Sequence, residues 1–248
     1  MHHPYKQGYS TLPNLKKISG EEVFEKDRKE SPKIQLEKKE GLSNQNYFLE
    51  HNNEQEFYEL CSEFIKKYYP TNLKGKSYLE IAKEIDEDLI IHRIDGEKDY
   101  MCSAHVVFAS HWLPEKKIGT SFEEIHKPVP MNLKNSKKLV EAIINNGIFE
   151  RYVWSVVYEN KYNFHPRFKE KSFDINDPKV LIKVERQVTV GFPQKKFCLF
   201  ILRQYIIEEK DIDKAFLVKA IEGMDESQKA YKGLTDCGDL LGYLKREI

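Results

Sequence analysis
The chain has 248 residues, 40 % of them apolar, with 40 basic side chains set against 40 acidic ones. That is enough apolar material for the core of one large domain, and the balanced charge offers no basic surface for nucleic acid or an anionic membrane and no acidic tail. The first ten residues lack the apolar run of a signal peptide and no stretch approaches a membrane span, while the four cysteines stand far apart without a C-x-x-C pair, so a cytoplasmic protein with reduced cysteines and no zinc site is expected.

Residues 1–55 are rich in Lys, Glu, Asn and Ser with scattered Pro. They hold no sustained period, which predicts an irregular wrap with short turns. Phe57, Leu60, Cys61, Phe64, Ile65 and Tyr68 recur at helical spacing and predict a helix over 55–68, stopped by Pro70. A second helix is expected around 77–87 on Tyr78, Ile81, Ala82 and Ile85. The texture then changes, and 89–94, the turn signal Asp95-Gly96 and 100–112 read as a β-hairpin.

A charged loop over 113–120 leads to Ser121-Phe122-Glu123-Glu124, which has capping-box spacing, so a short helix starts there and ends before Pro128. A longer helix is predicted over 136–146, with Leu139, Val140, Ile143 and Ile144 on one face and Gly147 placed to end it. Strands follow at 149–158, 180–190 and 197–207, the last two linked through Pro193 as a hairpin, and the chain is helical again from 211, broken near Gly223, Gly233 and Gly238. Two strands, helices and three more strands predict an α+β fold: one antiparallel five-stranded sheet with helices crossing it, the succession of a PAS domain. The whole of 1–248 reads as a single domain, with the wrap over 1–55, the core over 56–210 and helices over 211–248.

Several residues need a chemical explanation. In Val180, Ile182, Val184, Arg186, Val188 and Val190 an apolar face is interrupted once by a guanidinium. It requires an anion, either an internal carboxylate or a ligand. Arg203 among Leu199, Ile201 and Tyr205, and Arg151 between Phe149 and Val153, pose the same question. Several arginines directed at one sheet face suggest a multiply anionic ligand. His126 closes a short capped helix and is followed by Lys127-Pro128-Val129-Pro130, whose prolines fix the chain after it; a helix-end cap is the other reading of that position. His105, on the side shared by Val107 and Ala109, and His111 are fallback metal or haem ligands, each also readable as a core histidine. There is no Gly-rich phosphate loop, G-x-S-x-G elbow or Cys/His nucleophile pair, which leaves hydrolase and nucleotide-binding readings without support.

Three stretches together resemble one family. They are Ile85-Asp86-Glu87-Asp88-Leu89-Ile90; residues 108–130 with Trp112, Pro114, Glu115, Lys116, Lys117, Gly119, Ile125-His126 and Pro128-Val129-Pro130; and Val184-Glu185-Arg186-Gln187 running to Phe200 and Arg203-x-Tyr205. With Arg151-x-x-Trp154 and the His3-Pro4-Tyr5 opening, the set is similar to the haem-dependent oxidative N-demethylase alpha subunits. The resemblance implies a PAS-like, iron-containing haem b monooxygenase that removes a methyl group from a small secondary amine with dioxygen and releases formaldehyde. By its place in the I-H-x-P-V-P stretch it implies His126 as axial iron ligand, with Arg186, Arg151 and Arg203 as candidate propionate partners; Glu185, which alternates to the other side of its strand from Arg186, is the expected holder of the substrate ammonium if that side lines a pocket. No flavin or iron–sulfur motif is present, so the resemblance further implies electrons from separate reductase subunits. The alternative is a non-catalytic haem-binding PAS-like sensor or carrier. His111, where the family pattern leads one to expect a smaller polar residue, is a departure that bears on which amine is used and on turnover itself.

Overall fold
The computed structural model describes residues 2–26, 29, 31–44, 47–51, 54–130, 136–246 and 248. One antiparallel sheet contains β1 (Lys16–Lys17), β2 (Phe48–Glu50), β3 (Asp88–Asp95), β4 (Lys98–His105), β5 (Ile148–Val157), β6 (Leu181–Phe192) and β7 (Phe197–Ile207), in the order β1-β5-β6-β7-β3-β4-β2. The five expected strands form its centre, closed by pairing of β3 with β7. The sheet has seven strands rather than five because β1 and β2 add a short strip at each edge, too short to show an alternation in sequence.

The β3–β4 hairpin turns through Gly96-Glu97, with Gly96 at φ +57°, a conformation that costs glycine little. β4 ends at His105, well before the expected 112. The Asp88 carboxylate accepts the backbone N–H groups of Val107 at 3.0 Å and Phe108 at 2.8 Å, which draws the chain out of the ladder.

The helices are α1 (Ser31–Asn44), α2 (Gln55–Tyr68), α3 (Tyr78–Glu84), α4 (Phe122–His126), α5 (Ser136–Asn146), α6 (Lys214–Glu222), α7 (Glu226–Tyr231) and α8 (Gly238–Arg246). α3 starts on a full Ser77/Glu80 capping box and ends sooner than expected, where Ile85 becomes extended. α1 corrects the irregular wrap expected over 1–55. Its apolar period is hidden because Leu36 is exposed while Lys38 is buried, its ammonium donating to the Ile85 and Glu87 carbonyls at 2.7 and 2.9 Å.

Both faces of the sheet are covered. On one face, Leu89, Ile91, Val188, Val190, Leu199 and Ile201 pack with Phe57, Cys61, Ile65 and Ile81 of α2 and α3. At the other end of that face, Trp154, Ile182, Val184 and Ile207 pack with Leu217, Ile221, Leu240 and Leu244 of α6 and α8. Each fully buried aliphatic side chain contributes about 1.5–3 kcal/mol. The opposite face meets α4 and α5 through Phe122, Val140, Ile143 and Ile144, and the segments around Phe108 and Phe164 at its far end.

Candidate functional site
Cross-strand register decides which side chains share a face, because directly opposed residues point the same way. Glu185 stands opposite Val153 and Gln204, and Gln187 opposite Arg151. Arg151, Glu185, Gln187 and Gln204 therefore share one face, and Phe200 lies on it an even number of residues from Gln204. Phe122 of α4 stacks on Phe200 with ring centroids 6.4 Å apart, which brings His126 to the same face. Arg186 stands opposite both Tyr152 and Arg203, so these two arginines point to the other side.

Of the three arginines expected on one face, Arg186 and Arg203 share it and Arg151 lies on the other. Arg186 Nε and Nη2 reach Glu150 Oε2 at 3.0 and 2.9 Å, and Nη1 and Nη2 each donate at 2.6 Å to the carbonyls of Val23 and Glu22. Arg203 is ion-paired with Asp86. Burial by itself raises the Asp86 pKa, but Arg203, Gln35 and Ser31 hold the carboxyl below its ordinary value. Both guanidiniums have their anions inside the protein.

His126 is set by a chain of contacts. Ser121 Oγ caps α4 by accepting from Glu124 N at 3.2 Å, and Asp99 Oδ2 accepts from Phe122 N at 2.8 Å while bonding His92 Nε2 at 2.8 Å. The Phe122 ring stacks on the imidazole at 4.0 Å and 27°, and the Phe122 carbonyl accepts from His126 Nδ1 at 2.9 Å. A carbonyl only accepts, so Nδ1 carries the proton. Burial pushes the His126 pKa down to about 4, against the pull of that carbonyl. At neutral pH the ring is uncharged and its Nε2 lone pair is available, with no partner among the described residues.

The Arg151 guanidinium is half-buried and has no hydrogen bond or ion pair among the described residues. Burial lowers its pKa, with Glu185 opposing. Glu185 itself accepts from Gln187 Nε2 at 2.6 Å and Gln204 Nε2 at 2.7 Å. Gln204 Oε1 and Thr189 Oγ1, on the same face, are buried without a partner among the described residues.

One wall is the chain after β4. Asp88 holds Val107 and Phe108, and the Lys183 ammonium donates to the carbonyls of Phe108 and Tyr162. This brings Ser110 Oγ to 3.5 Å from Glu185 Oε2. Trp112 and Ile125 pack against the cluster of Met101, Ala104, Val106 and Ala109, giving an apolar border between this segment and α4.

The fallback histidines are placed otherwise. His111, at φ +62°, has Nδ1 3.1 Å from Glu170, and His165 pairs with Glu115 at 3.2 Å. His105 stands opposite Leu89, on the face of α2 and α3. Because β4 ends at His105, the alternation that grouped it with Val107 and Ala109 does not continue. Gln187, Gln204, Thr189 and Asp99 were not singled out from sequence. The polar odd-numbered positions of β6, read as a second buried face, would have found the first and third. Two surface grooves of about 400 and 430 Å³, beside Glu209 to Ala215 and beside Glu97 to Tyr100, contain none of His126, Arg151 and Glu185.

A haem held by histidine needs a neutral imidazole lone pair, and its carboxylates are matched by cationic partners. His126 Nε2 and Arg151 offer one of each on a single face, beside unpaired polar atoms of Gln204 and Thr189, so the residues present fit that group. No helix among the described residues is long and apolar enough to cross a membrane. No curated protein matches the chain. The profile of the family described as "Haem-dependent oxidative N-demethylase, alpha subunit-like" matches residues 46–241, which takes in α2 to α7, β2 to β7 and every site residue named above. The chain belongs to the haem-dependent oxidative N-demethylase, alpha subunit-like family.

Proposed function
We propose that the protein binds haem b through His126 Nε2, pairs a haem propionate with Arg151, and removes a methyl group from a small secondary amine with dioxygen, releasing formaldehyde. Electrons come from separate reductase subunits in this reading. The observation that carries it is the His126 geometry: a neutral ring, its Nδ1 proton held by the Phe122 carbonyl, its Nε2 without a partner among the described residues, on the same sheet face as a guanidinium that has none among them either. The PAS-like description is supported by the succession of hairpin, helices and three strands, closed by β3 against β7.

The bound haem supplies the oxidative chemistry. The chain's own residues select and orient. The Phe122 carbonyl fixes the His126 tautomer, as an outer partner does for a metal-binding imidazole. Glu185, held by two side-chain amides, presents a fixed negative charge suited to a substrate ammonium, and Ser110 adds a hydroxyl beside it. Trp112 and Ile125 limit water at the border. Arg186 and Arg203, engaged by Glu150 and Asp86, serve the fold and drop out of the propionate set.

Haem-supplemented protein is expected to show a Soret band that saturates at one haem per chain, and His126→Ala to lose or shift it. His126→Gly with added imidazole restores it. An unchanged spectrum in His126→Ala would sink the ligand assignment. Formaldehyde released from a methylated amine, dioxygen and a reductant separates the enzyme from a haem-binding sensor or carrier, which releases none.

A further inference from the structure
Arg151 has a companion at the rim of the same site. Lys232 directly follows α7, and its Nζ donates to the Trp154 carbonyl at 2.6 Å. Trp154 lies three residues along β5 from Arg151, about 10 Å at the rise of an extended strand. Among the described residues β1 pairs with β5 at Phe149 and Glu150, and no strand pairs the outer edge of β5 at Trp154. The ammonium lies 5.0 Å from the Tyr9 ring centroid and 5.4 Å from that of Tyr231.

The N-terminal segment with Tyr9, β5 with the Trp154 carbonyl and the end of α7 with Tyr231 therefore meet at the Lys232 ammonium, and Arg151 of β5 and Glu185 of β6 are near enough for their charges to act on it. Burial pushes the Lys232 pKa down to about 8, with Glu185 opposing and Arg151 adding to the fall. The Arg151 and Glu185 charges also act on Tyr231. Lys232 has no ion pair among the described residues. The rim thus holds two cations without carboxylate partners among the described residues and one carboxylate that two amides already engage. Removing cations from water without an anion is costly, and an arriving carboxylate relieves that cost.

We infer that Lys232 is a second carboxylate-recognising residue of the haem site, acting with Arg151 at the edge of β5. This rests on the haem reading above. Tyr9 and Tyr231 flank the ammonium and hold it at the rim, and the Trp154 carbonyl fixes its position before any ligand is bound.

The test compares haem with its dimethyl ester, which has the same ring and iron but no carboxylate charge. Lys232→Gln keeps an N–H donor for the Trp154 carbonyl and loses only the charge. Absorbance titration is expected to give about tenfold weaker haem binding in Lys232→Gln, unchanged affinity for the ester, and recovery in Lys232→Arg. Equal weakening for both ligands, or weakening for neither, overturns the assignment. Loss of discrimination in Arg151→Gln but not in Lys232→Gln removes Lys232 alone and leaves the haem reading standing. Failure of the unaltered protein to bind haem overturns both.

Discussion

Arg186 and Arg151 stand on neighbouring strands, and what each contributes follows from its partners. Arg186→Leu takes the guanidinium from the buried Glu150 carboxylate, which keeps only Lys16 Nζ at 3.1 Å and Tyr152 Oη at 3.4 Å, and it leaves the Glu22 and Val23 carbonyls without the donor that Arg186 gave them. Breaking one side of such a pair costs about 3–5 kcal/mol. Arg151→Leu removes a half-buried cation that has no partner among the described residues, so unfolding in urea is expected to show no loss of stability while haem affinity falls. Equal stability losses in the two variants would contradict the face assignment. His105 makes a separate prediction at this scale. Both ring nitrogens are buried without partners among the described residues, and burial pushes the pKa from 6.5 down to about 3. Between those values the unfolded chain takes a proton that the folded chain refuses, so stability present above pH 6.5 is lost as pH falls through the window, at up to ~1.4 kcal/mol per pH unit. His105→Leu is expected to flatten that part of a pH-dependent denaturation series, and an unchanged slope would assign the acid sensitivity to other groups.

The elements that read clearly from sequence are those whose buried face is apolar. α2 and α5 match their expected bounds because Phe57, Cys61 and Ile65, and Val140, Ile143 and Ile144, are the residues that are buried. α1 was not legible because a lysine occupies its buried side and finds carbonyls only in the folded chain. The end of β4 was not legible either, since the apolar run continues to Ala109 and only the Asp88 carboxylate diverts it. Where two elements touch, a small residue becomes decisive. A Cβ on Gly191 would lie 2.1 Å from the Ile144 carbonyl and 2.6 Å from that of Ile143. β6 and the end of α5 must then separate, so Gly191→Ala is expected to cost about 1–3 kcal/mol or more, read as a fall of several degrees in thermal unfolding. Because Ile143 and Ile144 pack with Phe122, the same variant should weaken haem binding, and an unchanged melting temperature would show that the helix end yields freely.

For the whole molecule, the haem reading carries a thermodynamic consequence. A ligand that binds only the folded chain, present at about 100 times its dissociation constant, adds about 2.7 kcal/mol, or roughly 5–10 °C in a protein of this size. The rise should be lost in His126→Ala; a rise that survives in that variant would place the haem elsewhere. The sequence by itself determined the class of fold, the five central strands, most helices, and a motif set specific enough to name the family. It also marked His126, Arg151, Arg186 and Arg203 as residues in need of a chemical role. Only the tertiary structure decided that Arg186 and Arg203 face away from His126, that Glu150 and Asp86 neutralise them, and that Lys232 reaches the rim beside Arg151. Alternation along a strand tells which residues share a face. It does not tell which of two covered faces that is, and here both faces are packed, so burial marks neither as the inside.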